Sequence, residues 1–149
     1  MHLIVKHYSE LTRDEVYELL QFRQEVFIVE QNCPYLDADG KDQSSWHLWL
    51  EDEQRQMIAY CRILPKGISY DEYASIGRVI SRQSHRAKGA GRRLMTEALD
   101  WLQHTWPDMP VKISAQCYLE AFYTSLGFTG IGDTYMEDDI PHRAMILKH

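Results

Sequence analysis

Apolar residues recur along the chain with two different periods, and the changes of period mark out its elements. Leu3 to Tyr8 alternates loosely and predicts a first strand. From Thr12 the spacing becomes helical through Val16, Leu19, Leu20, Val26 and Phe27, and Thr12 with Glu15 forms a capping-box pattern. A helix is therefore predicted from Thr12 to about Val29. Arg23 lies on its apolar face and has two readings: a cation that snorkels to a carboxylate, or a substrate-site residue. Gln31 to Ser45, with Pro34, Asp37, Asp39, Gly40 and Asp42, reads as a loop that is long for a compact domain. His47 to Glu51 and Met57 to Leu64 read as strands joined by the polar turn Asp52 to Gln56. Tyr73 to Ile80 is another strand. The helical run Leu94, Ala98, Leu99, Leu102 follows and stops before Trp106-Pro107. Val111, Ile113 and Ala115 alternate as a buried strand. Leu119, Phe122, Tyr123 and Leu126 fit a short helix closed by Gly127, and Thr129 to Met136 and His142 to Leu147 are final strands around a turn at Glu137 to Pro141. The order is strand, helix, three strands, helix, strand, helix, two strands, which predicts an α/β chain with a mixed sheet and helices packed against it.

Composition narrows this picture. A chain of 149 residues, 44% hydrophobic and 26% charged, is expected to form one domain, residues 1–149, with a sizeable core. It has no apolar run long enough to span a bilayer, and its start lacks the apolar region of a signal peptide. Cys33, Cys61 and Cys117 are odd in number and lack metal-like spacing, which favours free thiols and a cytoplasmic location. The net charge of −6 argues against nucleic acid as a partner.

Against that acidic background one stretch is basic. Arg78, Arg82, Arg86, Lys88, Arg92 and Arg93 occur with no acidic residue among them, around the run Arg86-Ala87-Lys88-Gly89-Ala90-Gly91. The glycines fall where a strand gives way to a helix. Glycine permits a left-handed turn and close backbone approach, and the first N–H groups of the helix carry the positive end of its dipole. Such a turn suits phosphate or another anion. No Lys-Ser/Thr follows the last glycine, which excludes a Walker loop, and the run lies too far along the chain for a dinucleotide fingerprint.

Further along, Phe122-Tyr123-x-x-x-Gly127-Phe128 follows the next strand. With Arg-x-x-Gly-x-Gly this resembles the GNAT superfamily of N-acetyltransferases. More narrowly, the run from Phe22-Arg23 through Val26-Phe27 to Val29-Glu30-Gln31-Asn32-Cys33-Pro34-Tyr35 resembles the ElaA subfamily, as do Gly77-Arg78-Val79-Ile80 and Glu137-Asp138-x-Ile140-Pro141-His142. The resemblance implies an acyl-CoA N-acyltransferase fold, a twisted mixed sheet with helices on both faces. Acetyl-CoA would lie in a V-shaped gap between two parallel strands, Tyr73–Ile80 and Val111–Ala115. It implies pantetheine pairing with Arg78, Val79 and Ile80, and a pyrophosphate seat on the loop from Arg86 through Ala87, Lys88, Gly89, Ala90 and Gly91 to Arg92. Gln116 falls where many relatives carry a cofactor-contacting asparagine, and Tyr123 matches the family's tyrosine near the thioester sulfur, where a phenol can protonate, or hydrogen-bond to, the departing thiolate; core packing beside Phe122 is its other reading.

Amine attack needs a base, and neither splayed strand carries the glutamate that many relatives use. Glu30 and His47 are the remaining candidates, with ordered water as the alternative. A cysteine nucleophile at Cys117 would need a neighbouring base, and none is evident. Glu30, Asp37, Asp39, Asp42, Glu137, Asp138 and Asp139 flank the acceptor side in the family fold, and a carboxylate-lined entry would favour a cationic amine over an acidic substrate; the other reading is that these acidic loops are simply solvated. The Asp37-x-Asp39-Gly40-x-Asp42 spacing faintly matches a calcium loop but lacks its terminal glutamate, so no metal is expected. The expected function is acetyl transfer from acetyl-CoA to a primary amine, on a small or peptidyl acceptor, by direct attack in a ternary complex, with no membrane partner; a homodimer is allowed. Two alternatives are an acyl-homoserine-lactone synthase-like acyltransferase, matched by Arg23, Val26 and Phe27, and a non-catalytic CoA-binding regulatory module.

Overall fold

The computed structural model describes residues 1–148. Strand β1 (His2–His7) leads to helix α1 (Arg13–Arg23), which opens with the reciprocal capping box its sequence announces. The Thr12 amide donates to Glu15 Oε1 at 2.9 Å, and the Glu15 amide donates to Thr12 Oγ1 at 3.1 Å. The predicted helix does not continue as α to Val29. At Gln24–Glu30 it widens into a π-helical turn, with the Gln31 amide bonded to the Val26 carbonyl at 3.1 Å.

Strands β2 (Trp46–Glu51), β3 (Met57–Leu64) and β4 (Ser75–Ser81) follow. They join β1 in a four-stranded antiparallel sheet of order β1-β2-β3-β4. A short helix, α2 (Gln83–Arg86), precedes the long α3 (Ala90–Thr105). The second sheet has the order β5-β7-β6, from β5 (Val111–Gln116), β6 (Thr129–Glu137) and β7 (Ile140–Leu147), with α4 (Glu120–Ser125) between β5 and β6.

The two faces of the first sheet are covered by different helices. Leu48 and Leu50 point to one face, where Leu94, Met95, Ala98 and Leu102 of α3 close the larger core. Trp49 alternates to the other face, where it meets Leu19 and Phe22 of α1. Burying each such leucine stabilises the fold by about 2 kcal/mol. The strands thus form two sheets rather than one continuous mixed sheet. Their junction is a parallel bridge between Ala74 and Val111, with the Lys112 amide donating to the Ala74 carbonyl at 2.9 Å. Beyond that bridge β4 and β5 diverge without pairing, so the expected splayed parallel strands are present. No described helix is long and apolar enough to cross a membrane.

Candidate active site

The divergence of β4 and β5 opens a cleft of about 1280 Å³. Because each strand is at the margin of its own sheet, each presents an unpaired backbone edge to this space. In β4 that edge is also deformed. Tyr60 pairs with Ile80 and Arg62 with Gly77, so Cys61 faces two residues, Arg78 and Val79. Arg78 takes up the bulge with φ of 53°, a left-handed conformation uncommon for a residue with a side chain. Arg78, Val79 and Ile80 all line the cleft.

At one end of the cleft lies the glycine turn. Gly89 has φ of 76° and begins α3 with no side chain capping it. The first bond of the helical ladder runs from the Arg93 amide to the Gly89 carbonyl at 3.0 Å, so the amides of Ala90, Gly91 and Arg92 precede that ladder. Gly89, Gly91 and Arg92 line the cleft, with Arg86 beside them. The Arg92 guanidinium is anchored over the Phe122 ring at 5.2 Å and donates to Ser125 Oγ at 3.0 Å. Lys88 and Ala87 are exposed in the turn. Gln116, the last residue of β5, also faces the cleft.

Tyr123, on α4, reaches the cleft from the other side of the gap and is 7% exposed. Burial pushes its hydroxyl up to about 12, helped by Cys61 and Tyr118 nearby, so the phenol holds its proton at neutral pH. Its ring packs edge-on to Phe122 and Phe128. The hydroxyl has no hydrogen-bond partner among the described residues, which leaves it available to a ligand.

The two base candidates part company. Glu30 lines the cleft, but its carboxylate accepts from Arg86 at 2.6 Å. His47 is fully buried and is not part of the cleft lining, which corrects its reading as a base. Its Nε2 donates to the Asp42 carbonyl at 3.0 Å and its Nδ1 accepts from the Tyr60 hydroxyl at 2.6 Å. Burial, with Arg23 and Arg62 nearby, lowers its proton affinity and keeps the ring neutral. It is a structural histidine of the β2–β3 face.

For Asp37, Asp39 and Asp42 the expected acidic acceptor side is also corrected. Residues 31–45 form a loop held by three arginines. Arg23, fully buried, donates through Nε to Asp37 Oδ2 and through Nη1 to Asp42 Oδ1, both at 2.8 Å. Arg62 bridges Asp39 and Asp42 at 2.5 and 2.9 Å. Arg78, from the bulge, donates to Asp37 Oδ1 at 2.8 Å and to its carbonyl at 2.9 Å. Burial alone would raise the Asp39 and Asp42 carboxyls; the arginines outweigh it and hold both below the ordinary range. These aspartates therefore anchor the loop rather than attract a cation, and the snorkelling reading of Arg23 is the one the structure carries. The calcium-like spacing is accounted for by arginines.

Sequence reasoning missed His142 and Ser114 on the cleft wall, where Glu137, expected on the acceptor side, joins them. The strand register places His142 opposite both Gln116 on β5 and Tyr135 on β6. Its only signal in the sequence was the Glu137-to-His142 run itself.

Comparison with known proteins agrees with this geometry. Residues 9–149 match the acetyltransferase (GNAT) domain family. The chain is 45% identical over 143 residues to Escherichia coli protein ElaA, covering 93% of this chain and 91% of that one. The crystal structure of Escherichia coli ElaA superposes with a TM-score of 0.92 and 40% identity, covering 99% of this chain and 100% of that one. An acyl-CoA N-acyltransferase from Pseudomonas aeruginosa superposes with a TM-score of 0.91 and 40% identity over 99% of each chain. The splayed strands, the uncapped helix behind a glycine turn and these matches agree, and the chain belongs to the ElaA-like branch of the GNAT acetyltransferase family.

Proposed function

We propose that this chain, as one GNAT domain, transfers an acetyl group from acetyl-CoA to a primary amine within a ternary complex. The observation that carries the reading is the alignment of three features along one cleft. These are the uncapped start of α3, the open β4 edge at its bulge and the protonated Tyr123. A diphosphate suits the Ala90–Arg92 amides and the positive end of the α3 dipole, with Arg86 and Arg92 alongside. The amide-rich pantetheine arm suits pairing with residues 78–80, as an added strand would pair with an open edge. Gln116 offers an amide to the same arm. The thioester supplies the activated acetyl group, and Tyr123 gives the departing sulfur a proton.

Thermal stabilisation by CoA and thiol release with a panel of primary amines test this reading. Saturating acetyl-CoA raises the melting temperature by linkage, following RT ln(1 + [L]/Kd), and at least one amine raises thiol release above buffer. An unchanged melting temperature would count against acyl-CoA binding. Stabilisation without any amine-dependent release would favour a binding module.

A further inference from the structure

We propose that His142, backed by Glu137, is the base that takes the proton from the acceptor amine. The inference rests on the amine-transfer reading above. It starts from the strand register. His142 and Tyr135 are direct partners across β7 and β6, and His142 and Gln116 across β7 and β5. Partners in register share a face, so the ring lies on the face of Ser114 and Gln116 that forms the cleft wall. The residue is 6% exposed.

The ring's hydrogen bonds fix its chemistry. Nδ1 lies 2.7 Å from the Ile140 carbonyl. A carbonyl oxygen only accepts, so Nδ1 carries the hydrogen and the neutral ring has its lone pair on Nε2. Nε2 faces Glu137 Oε2 at 3.3 Å. A carboxylate is also an acceptor. Two acceptors therefore face each other, and a proton arriving between them creates a charge-assisted hydrogen bond. The ring cannot swing away, because Tyr135 stacks on it at 6.1 Å with an interplanar angle of 22° and the Tyr135 hydroxyl bonds Ser114. The Glu137 side chain is 52% exposed, which opens a route from the buried ring to solvent.

The surrounding groups favour this role. From β6, Tyr135 stacks on the ring and Glu137 faces it; on β5 the register partner of His142 is Gln116; Asp138 begins the adjoining turn. No cation is among them. Arg143, the next residue on β7, donates to Glu120 at 2.5 Å. Glu30 is occupied by Arg86 and His47 is sealed in the core.

The step balances as follows. The ammonium N–H bond breaks, its electron pair stays on nitrogen, and the proton passes to Nε2, where Glu137 holds it. The amine lone pair forms the N–C bond at the thioester carbonyl carbon while the C–S bond breaks. One further nitrogen proton balances the proton that sulfur gains through Tyr123. One proton is released overall, through His142 to solvent.

Two probe amines test the assignment: alaninamide, whose α-amine titrates near about 8, and Nα-acetyl-lysinamide, whose side-chain amine titrates near about 10.4. Thiol release is followed from pH 6.5 to pH 9.5, roughly bracketing the lower of these values, at saturating acetyl-CoA. For His142→Gln the expected loss with the lysine probe at neutral pH is about 10²-fold in kcat, shrinking as pH rises, with a smaller loss for alaninamide. Affinity for CoA stays within about twofold. A loss that is the same at every pH and for both probes would assign His142 a structural role and overturn the proposal. Independently, the nitrogen chemical shifts of the neutral His142 ring are expected to report the Nδ1–H tautomer, in the parent and in Glu137→Gln alike. If neither probe raises thiol release with the parent protein, transfer to these amines fails as a reading. The base assignment is then decided by those chemical shifts, and an Nε2–H tautomer, which leaves no lone pair on Nε2 to take a proton, overturns it.

Discussion

The cleft is bounded by two regions that are built in different ways. The donor side, between β4 and β5, consists of backbone: an open strand edge, a bulge, and the amides at the start of α3. The far side of β4 is held by side chains, three arginines locked to three aspartates of residues 31–45. A backbone site depends on turn geometry and strand divergence, and its donors are oriented before any ligand arrives. A buried ion-pair site depends on every partner being present, because each deletion strands a charge. Arg78 links the two regions. Its backbone forms the bulge and its side chain reaches Asp37, so the loop network holds the strand edge in shape.

Breaking the side-chain region has the largest expected effect. Arg23→Met leaves Asp37 and Asp42 each with one arginine fewer in a buried setting, and about 3–5 kcal/mol of stability is lost in urea unfolding. A loss below about 1 kcal/mol, the worth of a surface ion pair, would show that the loop is not anchored by this pair. On the donor side, Tyr123→Phe removes a hydroxyl with no protein partner. Turnover by thiol release falls about 10²-fold while CoA affinity and the melting temperature barely move. Unchanged turnover would remove Tyr123 from the chemistry.

A smaller effect separates the regions again. Gly89→Val forces a β-branched residue into a left-handed turn, at about 1–2 kcal/mol, and weakens CoA binding without disturbing the Arg62–Asp39 pair. CoA titration by calorimetry reads it, and unaltered affinity would take the turn out of the site. The smallest effect is on acid stability. Asp39 and Asp42 have folded values below the ordinary 3.8, so their contribution is present above that pH and is lost as pH falls below it. Melting temperature is expected to drop below about pH 4, and to drop less steeply in Arg62→Gln. Parallel curves would mean that Arg62 does not set these carboxyls.

What could be read from the sequence follows the same division. The Thr12–Glu15 cap, the alternation of Val111, Ile113 and Ala115 and the turn at Gly89 are local signals, and each marks an element the structure contains. The β4 bulge left no trace, because arginine is not a residue type that marks a positive φ, and the Asp37 that Arg78 bonds lies 41 positions away in the chain. The π turn after Arg23 is invisible for a similar reason. The guanidinium that ends α1 is fixed by residues 14 and 19 positions further on. Charge counting suggested an acidic acceptor side because a sequence shows which residues are charged and not which are paired. His142 was missed as a site residue because its neighbours Gln116 and Tyr135 come together only through strand register.

Hydrogen exchange with and without CoA tests the central claim most directly, that the wedge between β4 and β5 is the donor site. Added CoA is expected to slow exchange at the amides of residues 76–80 and 90–92 while residues 31–45 exchange as before. Protection confined to residues 31–45, or absent from both β4 and the start of α3, would contradict it.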